Sequence, residues 1–342
     1  MKTLRNVRGF SLIELMIGVA LGLVILAALT TFFVSSSSTR NEIERTSRQI
    51  ENGRYAVDAI RNEIHLAGFF AELQTSGTTW GIPDPCVNSL AGVGFALGPP
   101  QTTPLPITGY AAGTAAPACV ANLLVPLDAS PQSDVLVIRR FHTEPVAKAT
   151  AVAAAADYYY QPSRCRSDST TTPWEFNTGG AGAFALRKLD CATPADLYRW
   201  RVNIFYVRDY SYAPGDQIQT LVKLELDPTN PSAVGGIVTY PIADGIASLR
   251  LEYGVDNDND GAPDEWRRCD TATPCTTAQW ANVTSVRVHL LAVNLDRTVG
   301  YVDTKVYDMG TGAASVGPFN DAFKKHVYAA VISVPNRTGP RE

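Results

Sequence analysis

The residues from Phe10 to Val34 constrain this chain more than any others. They form an apolar run broken by one charge, Glu14, and the 20 residues from Leu15 to Val34 carry none. A run of that length crosses the hydrocarbon core as one helix. Lys2, Arg5 and Arg8 precede it, and Arg40, Glu42, Glu44 and Arg45 follow. The positive-inside rule therefore puts the N-terminus in the cytoplasm and everything after Val34 outside. A carboxylate just inside such a helix is costly and marks function. Ser35-Ser36-Ser37-Ser38-Thr39 follows the run, so the small-residue cleavage site of an ordinary export signal is missing there.

The segment Arg8-Gly9-Phe10-Ser11-Leu12-Ile13-Glu14 resembles the type III signal sequence of type IV prepilins. That resemblance implies a leader of residues 1–9, removed by a prepilin peptidase between Gly9 and Phe10. It also implies methylation of the new N-terminal Phe10, and it places Glu14 at the family's glutamate position. An uncleaved anchor with a chance acid is the plainer alternative. The physical use of Glu14 can be argued separately. After cleavage the Phe10 amine lies about one helical turn from this carboxylate, so two staggered subunits can pair amine with acid. In a low dielectric such a pair is strong and an unpaired partner is penalised, which makes Glu14 a register device. Gly18, Ala20, Gly22, Ala27 and Ala28 let neighbouring helices approach closely.

The helix is expected to continue through residues 35–68. Ile43, Ile50, Val57 and Ile64 fall seven apart, with Ile60 and Ala67 between them, and Arg45, Arg48, Glu51, Arg54, Asp58, Arg61 and Glu63 lie opposite. Such an amphipathic stripe needs a partner surface. Gly68 is a suitable stop. The motifs Asn52-Gly53-Arg54-Tyr55-Ala56 and Ile64-His65-Leu66-Ala67-Gly68-Phe69 resemble the PilW family of minor pilins.

The remainder, residues 69–342, reads as a β-rich head. Strand-like runs occupy Asp134–Arg139, Tyr198–Val207, Leu221–Leu226, Ile237–Ile242, Ser248–Tyr253, Val283–Val293 and Val327–Val334. Their period-two alternation predicts an antiparallel sheet with one wet face. Residues 71 to about 130, and the stretch from Ala147 to Ala195, show little periodicity and read as long excursions. The expected fold class is α+β: a long N-terminal helix, half transmembrane (10–34) and half amphipathic (35–68), packed on a pilin-like antiparallel sheet.

Six cysteines, Cys86, Cys119, Cys165, Cys191, Cys269 and Cys275, all follow the apolar run. An even count on the oxidising side of an envelope reads as disulfides, with 15 connectivities open. The least tangled set pairs neighbours: Cys86–Cys119, Cys165–Cys191 and Cys269–Cys275. Zinc is the weaker reading, because Cys-x-x-Cys is missing and His65, His142, His289 and His326 are scattered.

Asp256-Asn257-Asp258-Asn259-Asp260-Gly261-Ala262-Pro263-Asp264-Glu265 is the sharpest motif outside the leader. Acids at positions 1, 3, 5 and 9 with glycine at 6 match the front half of a calcium loop. The candidate ligands are Asp256, Asp258, Asp260, the Ala262 carbonyl and Asp264. Position 12 is Arg267, so Glu265 or Asp270 would have to replace the usual glutamate. A solvated acidic turn is the alternative, since Asp, Asn and Gly also dominate turns.

Catalytic signatures such as Gly-x-Ser-x-Gly, His-Glu-x-x-His or a phosphate-binding loop do not occur, so no enzyme is expected. Tyr158, Tyr159, Tyr160, Trp174 and Phe176 read as core or loop anchors before they read as a binding surface. The net charge of −4 becomes −7 when the three positive charges of the leader are removed, which argues against nucleic acid.

The resemblance implies a minor pilin in an initiating or tip complex with other minor and major pilins, reached through the N-terminal helix, and with a tip adhesin. It implies residence in the inner membrane before assembly and on the pilus or cell surface afterwards. A pseudopilin of type II secretion, or a membrane-anchored calcium-dependent adhesin, are the alternatives.

Overall fold

The computed structural model describes residues 11–75, 77–121, 133–169, 172–310 and 315–338. The leader, Gly9 and Phe10 lie outside the described residues. The chain divides into two compact units, Met1–Arg48 and Gln49–Glu342.

In the first unit, helix α1 (Leu12–Leu66) exposes its apolar side chains on all sides from Leu12 to Val34. Thr30 and Thr31 inside the run turn their hydroxyls back onto the carbonyls of Leu26 and Ala28. Short polar side chains are tolerated in an apolar helix when they close on its own backbone in this way.

The second unit begins within α1. Gln49, Gly53, Ala56, Val57, Ile60 and Ile64 are buried, and Ala67 follows them. The predicted stripe is therefore correct from Val57 onward and displaced before it. Ile43 and Ile50 are exposed, and Gln49 and Gly53 take the buried positions. The reason is specific. Gln49 Nε2 donates to the carbonyls of Ala292 and Lys324, and Gly53 makes room for the ring of Tyr328. Glu63, expected on the wet face, instead turns inward. It receives both Nε and Nη2 of Arg140 at 2.9 and 3.3 Å and Asn203 Nδ2 at 2.8 Å. The helix ends before Gly68, whose φ of +71° suits glycine and whose N–H donates to the Arg139 carbonyl.

Two larger sheets carry the head. The seven-stranded sheet contains β3 (Ile107–Tyr110), β4 (Val135–Phe141), β5 (Tyr158–Pro162), β6 (Trp174–Thr178), β7 (Tyr198–Arg208), β8 (Thr220–Leu226) and β9 (Ile237–Asp244). Strand β7 is its hub: Trp200–Phe205 pair with β4, Tyr198–Arg199 with β5 and Asn203–Arg208 with β8. The four-stranded sheet runs β11 (Glu265–Arg267), β10 (Ile246–Val255), β12 (Val283–Val293), β13 (Lys325–Ser333), antiparallel throughout. Strands β1 (Thr79–Gly81) and β2 (Thr102–Pro104) form a small parallel pair. Helices α2 (Lys148–Ala153), α3 (Arg166–Ser169), α4 (Thr277–Ala281) and α5 (Pro335–Thr338) are short.

The expectation of one wet face fails for the seven-stranded sheet. Leu136, Ile138, Phe205, Val207 and Leu221 face a core shared with α1, β10 and β12. Val135, Val137, Val202, Ile204, Tyr206, Val222 and Leu224 face a second core on the other side. What covers that second face is largely the two stretches read as excursions. They also extend the sheet itself with β3, β5 and β6, and they add to a cluster of aromatic rings on that face. Phe95 packs against Phe176 at 4.6 Å and Trp200 at 4.9 Å, and Phe141 against Tyr160 at 4.8 Å. Tyr158, Tyr159, Tyr160 and Trp174 are thus core residues. The sequence hid these strands because β5 is buried at all five positions and shows no alternation.

Three disulfides close Cys86–Cys119, Cys165–Cys191 and Cys269–Cys275, with Cα–Cα distances of 5.4, 4.8 and 4.8 Å. These are normal spans for the bond.

Candidate functional site

Two regions carry the functional expectations, and each is built by its own local sequence. At the start of α1, Ser11 N–H donates to Glu14 Oε2 at 3.2 Å, and Leu15 N–H to the Ser11 carbonyl. Ser-x-x-Glu at a helix start is the pattern in which a side chain satisfies an amide that the first turn leaves open. Glu14 also lies in the first turn, where the helix dipole favours negative charge. The apolar run that follows reaches a mean hydropathy of 2.7. The helix is long and apolar enough to cross a membrane.

The acidic loop joins β10 to β11. Asp256 is fully buried; its Oδ1 accepts Asn259 N–H at 2.6 Å and its Oδ2 accepts Gly261 N–H at 3.0 Å. Asp258 accepts Asp260 N–H at 3.1 Å, and Asp260 accepts Ala262 N–H at 2.7 Å. Gly261, with a φ of +92°, makes the sharp turn possible. Ligand oxygens of Asp256, Asp258 and Asp260 all lie within 4.8 Å of one another. These three acids are a cluster able to hold a metal ion, because an ionised carboxylate keeps accepting capacity after one hydrogen bond.

The other candidate ligands are not drawn into that cluster. Asp264 Oδ2 accepts the N–H groups of Asn257 and Asp258 at 2.6 and 3.3 Å, tying the far end of the loop to its beginning. Glu265 pairs with Arg267 at 3.6 Å, and Asp270 accepts the amides of Ala272 and Thr273. Neither takes the place of the twelfth-position glutamate. Trp266 stacks under the Arg287 guanidinium at 4.1 Å, and Tyr253 meets Trp280 at 4.6 Å, so the loop stands on a packed base.

Sequence reasoning gave Asp134 no role, yet it links the two sheets. It is buried just before β4 and accepts the amides of Ala112 and Leu251, both at 2.8 Å. Arg268 and Arg250 approach it at 3.3 and 3.4 Å. Burial raises its carboxyl above the usual range, against the pull of both arginines. A single aspartate beside an apolar strand carries no pattern that would have marked it.

Comparison with known proteins matches two stretches of the chain. Residues 4–30 match the family model described as the prokaryotic N-terminal methylation motif, and residues 204–336 match that of the type IV pilus-assembly protein W. Among solved structures, a type IV-like pilin from Thermus thermophilus is similar at 10% identity and a TM-score of 0.37, covering 85% of this chain and 97% of its own. No curated relative matches the chain. A methylation motif thus stands at the start of the exposed apolar helix, and a region similar to the type IV pilus-assembly protein W family runs from within β7 past β13.

Proposed function

We propose that this chain takes part in type IV pilus assembly as a low-copy subunit, in an initiating or tip complex with other minor pilins. The observation that carries the proposal is the pairing of the methylation motif with the PilW-type region in one chain. In this reading the leader 1–9 is cut after Gly9, Phe10 is methylated, and Glu14 sets the register of subunit docking. Residues 10–34 serve as the assembly half of the helix and 69–342 as the head. The head's size supports low copy, since the 274 residues from 69 to 342 are hard to repeat along a thin shaft. The subunit rests in the inner membrane, N-terminus inward, and passes to the pilus surface on assembly. Its role is structural rather than enzymatic.

The test is deletion with complementation. Loss of surface pili on deletion, restored by the wild-type chain, together with detection of the head at fibre ends, supports the proposal. Normal pili with failed protein secretion would reassign it as a type II pseudopilin. Normal pili with lost calcium-dependent attachment would make it an adhesin.

A second proposal concerns the acidic loop. The mutual approach of Asp256, Asp258 and Asp260 supports a weak calcium site. Of the ligands expected from sequence, these three lead, with the Ala262 carbonyl and Asp264 as completing groups if the loop shifts on binding.

A further inference from the structure

Strand β12 lies between β10 and β13, and its side chains divide by parity. Val286, Val288 and Leu290 enter the core beneath α1. On the opposite face, His289 is nine-tenths buried, and its Nε2 has no hydrogen-bond partner among the described residues. Above it lies the backbone of Gly310. A Cβ at that glycine would sit 2.9 Å from His289 Nε2 and 3.2 Å from the Glu252 carboxyl carbon. Gly310 has a φ of +100°, so both its conformation and its contact require glycine.

Gly310 ends a segment, Tyr301–Gly310, that is fastened at its other end. Asp303, fully buried, accepts the hydroxyls of Tyr301 and Tyr307 and the Lys325 ammonium at 3.3 Å. Tyr307 and Met309 then pack on Leu291 and Ala247. Beside Gly310 a cavity of about 360 Å³, lined by Arg287, His289 and Asp308 among others, gives the segment space to move.

We propose that His289 makes the seating of the Tyr301–Gly310 segment on this sheet sensitive to acid, protonation of the imidazole lifting Gly310 away. A neutral ring tolerates an apolar contact at Nε2, but an imidazolium donates from both nitrogens and must find acceptors. Glu252 Oε2 is the nearest carboxylate oxygen, 3.8 Å away and already accepting Arg287 Nη1 at 2.7 Å. Closing that gap needs about 1 Å of movement beside Gly310, where even a Cβ would crowd both groups. The charged neighbours are Arg287 on the same strand, Glu252 and Arg250 on β10, and Asp308 on the segment itself, while β13 offers Ala329 opposite. Burial already holds the imidazole below the ordinary histidine range; Glu252 and Asp308 oppose this and Arg287 adds to it. In the folded head the imidazole therefore takes up a proton less readily than a free histidine does.

The test is hydrogen–deuterium exchange of the full chain in detergent at about pH 7.5 and about pH 5.5, which bracket the imidazole range. After correction for intrinsic rates, protection over residues 301–310 is expected to fall several-fold at the lower pH, where the imidazole takes up its proton. His289→Gln should remove that fall. Gly310→Ala should lose protection at both pH values, because its Cβ occupies the contact. Constant protection in the wild type, an equal fall in His289→Gln, or full protection in Gly310→Ala would each overturn the proposal. If His289→Gln does not fold, the wild-type NMR titration decides. One shared midpoint for the His289 ring and the Gly310 amide supports it, and separate midpoints refute it.

Discussion

Gly53 of α1 lies flat against the ring of Tyr328 on β13, with no room for a side chain between them. A Cβ on Gly53 would run into the Cε2, Cδ2 and Cζ atoms of that ring. Gly53→Ala therefore sets two effects against each other. Helix propensity favours alanine by about 1 kcal/mol, and overpacking costs about 1–3 kcal/mol. The ring is wedged beside the buried helix face, so the second effect is expected to prevail. Denaturant unfolding of the full chain in detergent should show a lower midpoint for Gly53→Ala, and an unchanged or higher one would show that Tyr328 moves aside freely.

Cleavage after Gly9 and methylation of Phe10 are expected in the mature protein. Mass spectrometry of its N-terminus checks both, and an intact Met1 or a cut beyond Val34 would contradict them. Glu14→Ala should leave cleavage unaffected while reducing surface pili, because an amine without its carboxylate docks poorly at membrane depth. Normal pilus numbers in that variant would remove Glu14 from assembly.

The three bridges leave no free thiol among the described cysteines. Thiol counting in denatured, unreduced protein should accordingly give none. Replacing Cys165 and Cys191 by serine opens a loop with a sequence separation of 26 and should destabilise the head by about 3 kcal/mol. A change below experimental error would mean that the Arg187–Asp168 pairing holds that region unaided.

Calcium binding to the acidic loop should raise the melting temperature. A ligand at ten times its dissociation constant adds about 1.4 kcal/mol, which corresponds to a few degrees for a large head. Millimolar calcium should exceed both chelator and magnesium, since magnesium dehydrates reluctantly. Asp258→Ala with Asp260→Ala should erase the difference. Identical melting of the wild type in calcium and chelator would leave only an acidic turn.

Acid should loosen the β7–β8 turn through Asp216. Its carboxylate accepts the amides of Ile218, Ala213, Tyr212 and Ser211, which pull its pKa down to about 2. A carboxyl lowered in the folded state stabilises above the ordinary carboxylate pKa, and that contribution disappears as pH falls toward 2. Asp216→Asn should therefore flatten the stability profile between about pH 4 and about pH 2. A profile as steep as the wild type would assign the acid limb to other carboxylates.

The chain's legibility varies with how one-sided each element is. Val57, Ile60 and Ile64 could be read because one face of the helix is apolar and the other is not. Strands β8, β10 and β12 carried enough alternation or enough β-branched residues to be seen. Strands β3, β5 and β6 could not be read, because they are short or buried on both sides, and Gly, Pro and Tyr obscure any period. Glu63 reads as a wet-face residue, and Gln49 and Gly53 carry no helical signal, because their side chains, or the lack of one, serve partners distant in sequence. In the acidic loop the clustering of Asp256, Asp258 and Asp260 follows from their spacing about a glycine. The turn of Asp264 toward the backbone does not, since it depends on how β11 returns to β10.

The family match opens at Ile204, halfway along β7, and that position separates the unit of recognition from the unit of folding. A fragment starting there would inherit β8 through β13 but leave behind Trp200, all of β4 and the aromatic cover of the far face. It would also lose the helix that fills the near core. The part of the chain most easily recognised is therefore not one that stands alone. In this chain the recognised strands owe much of their backing to residues before Ile204, which lie outside the match.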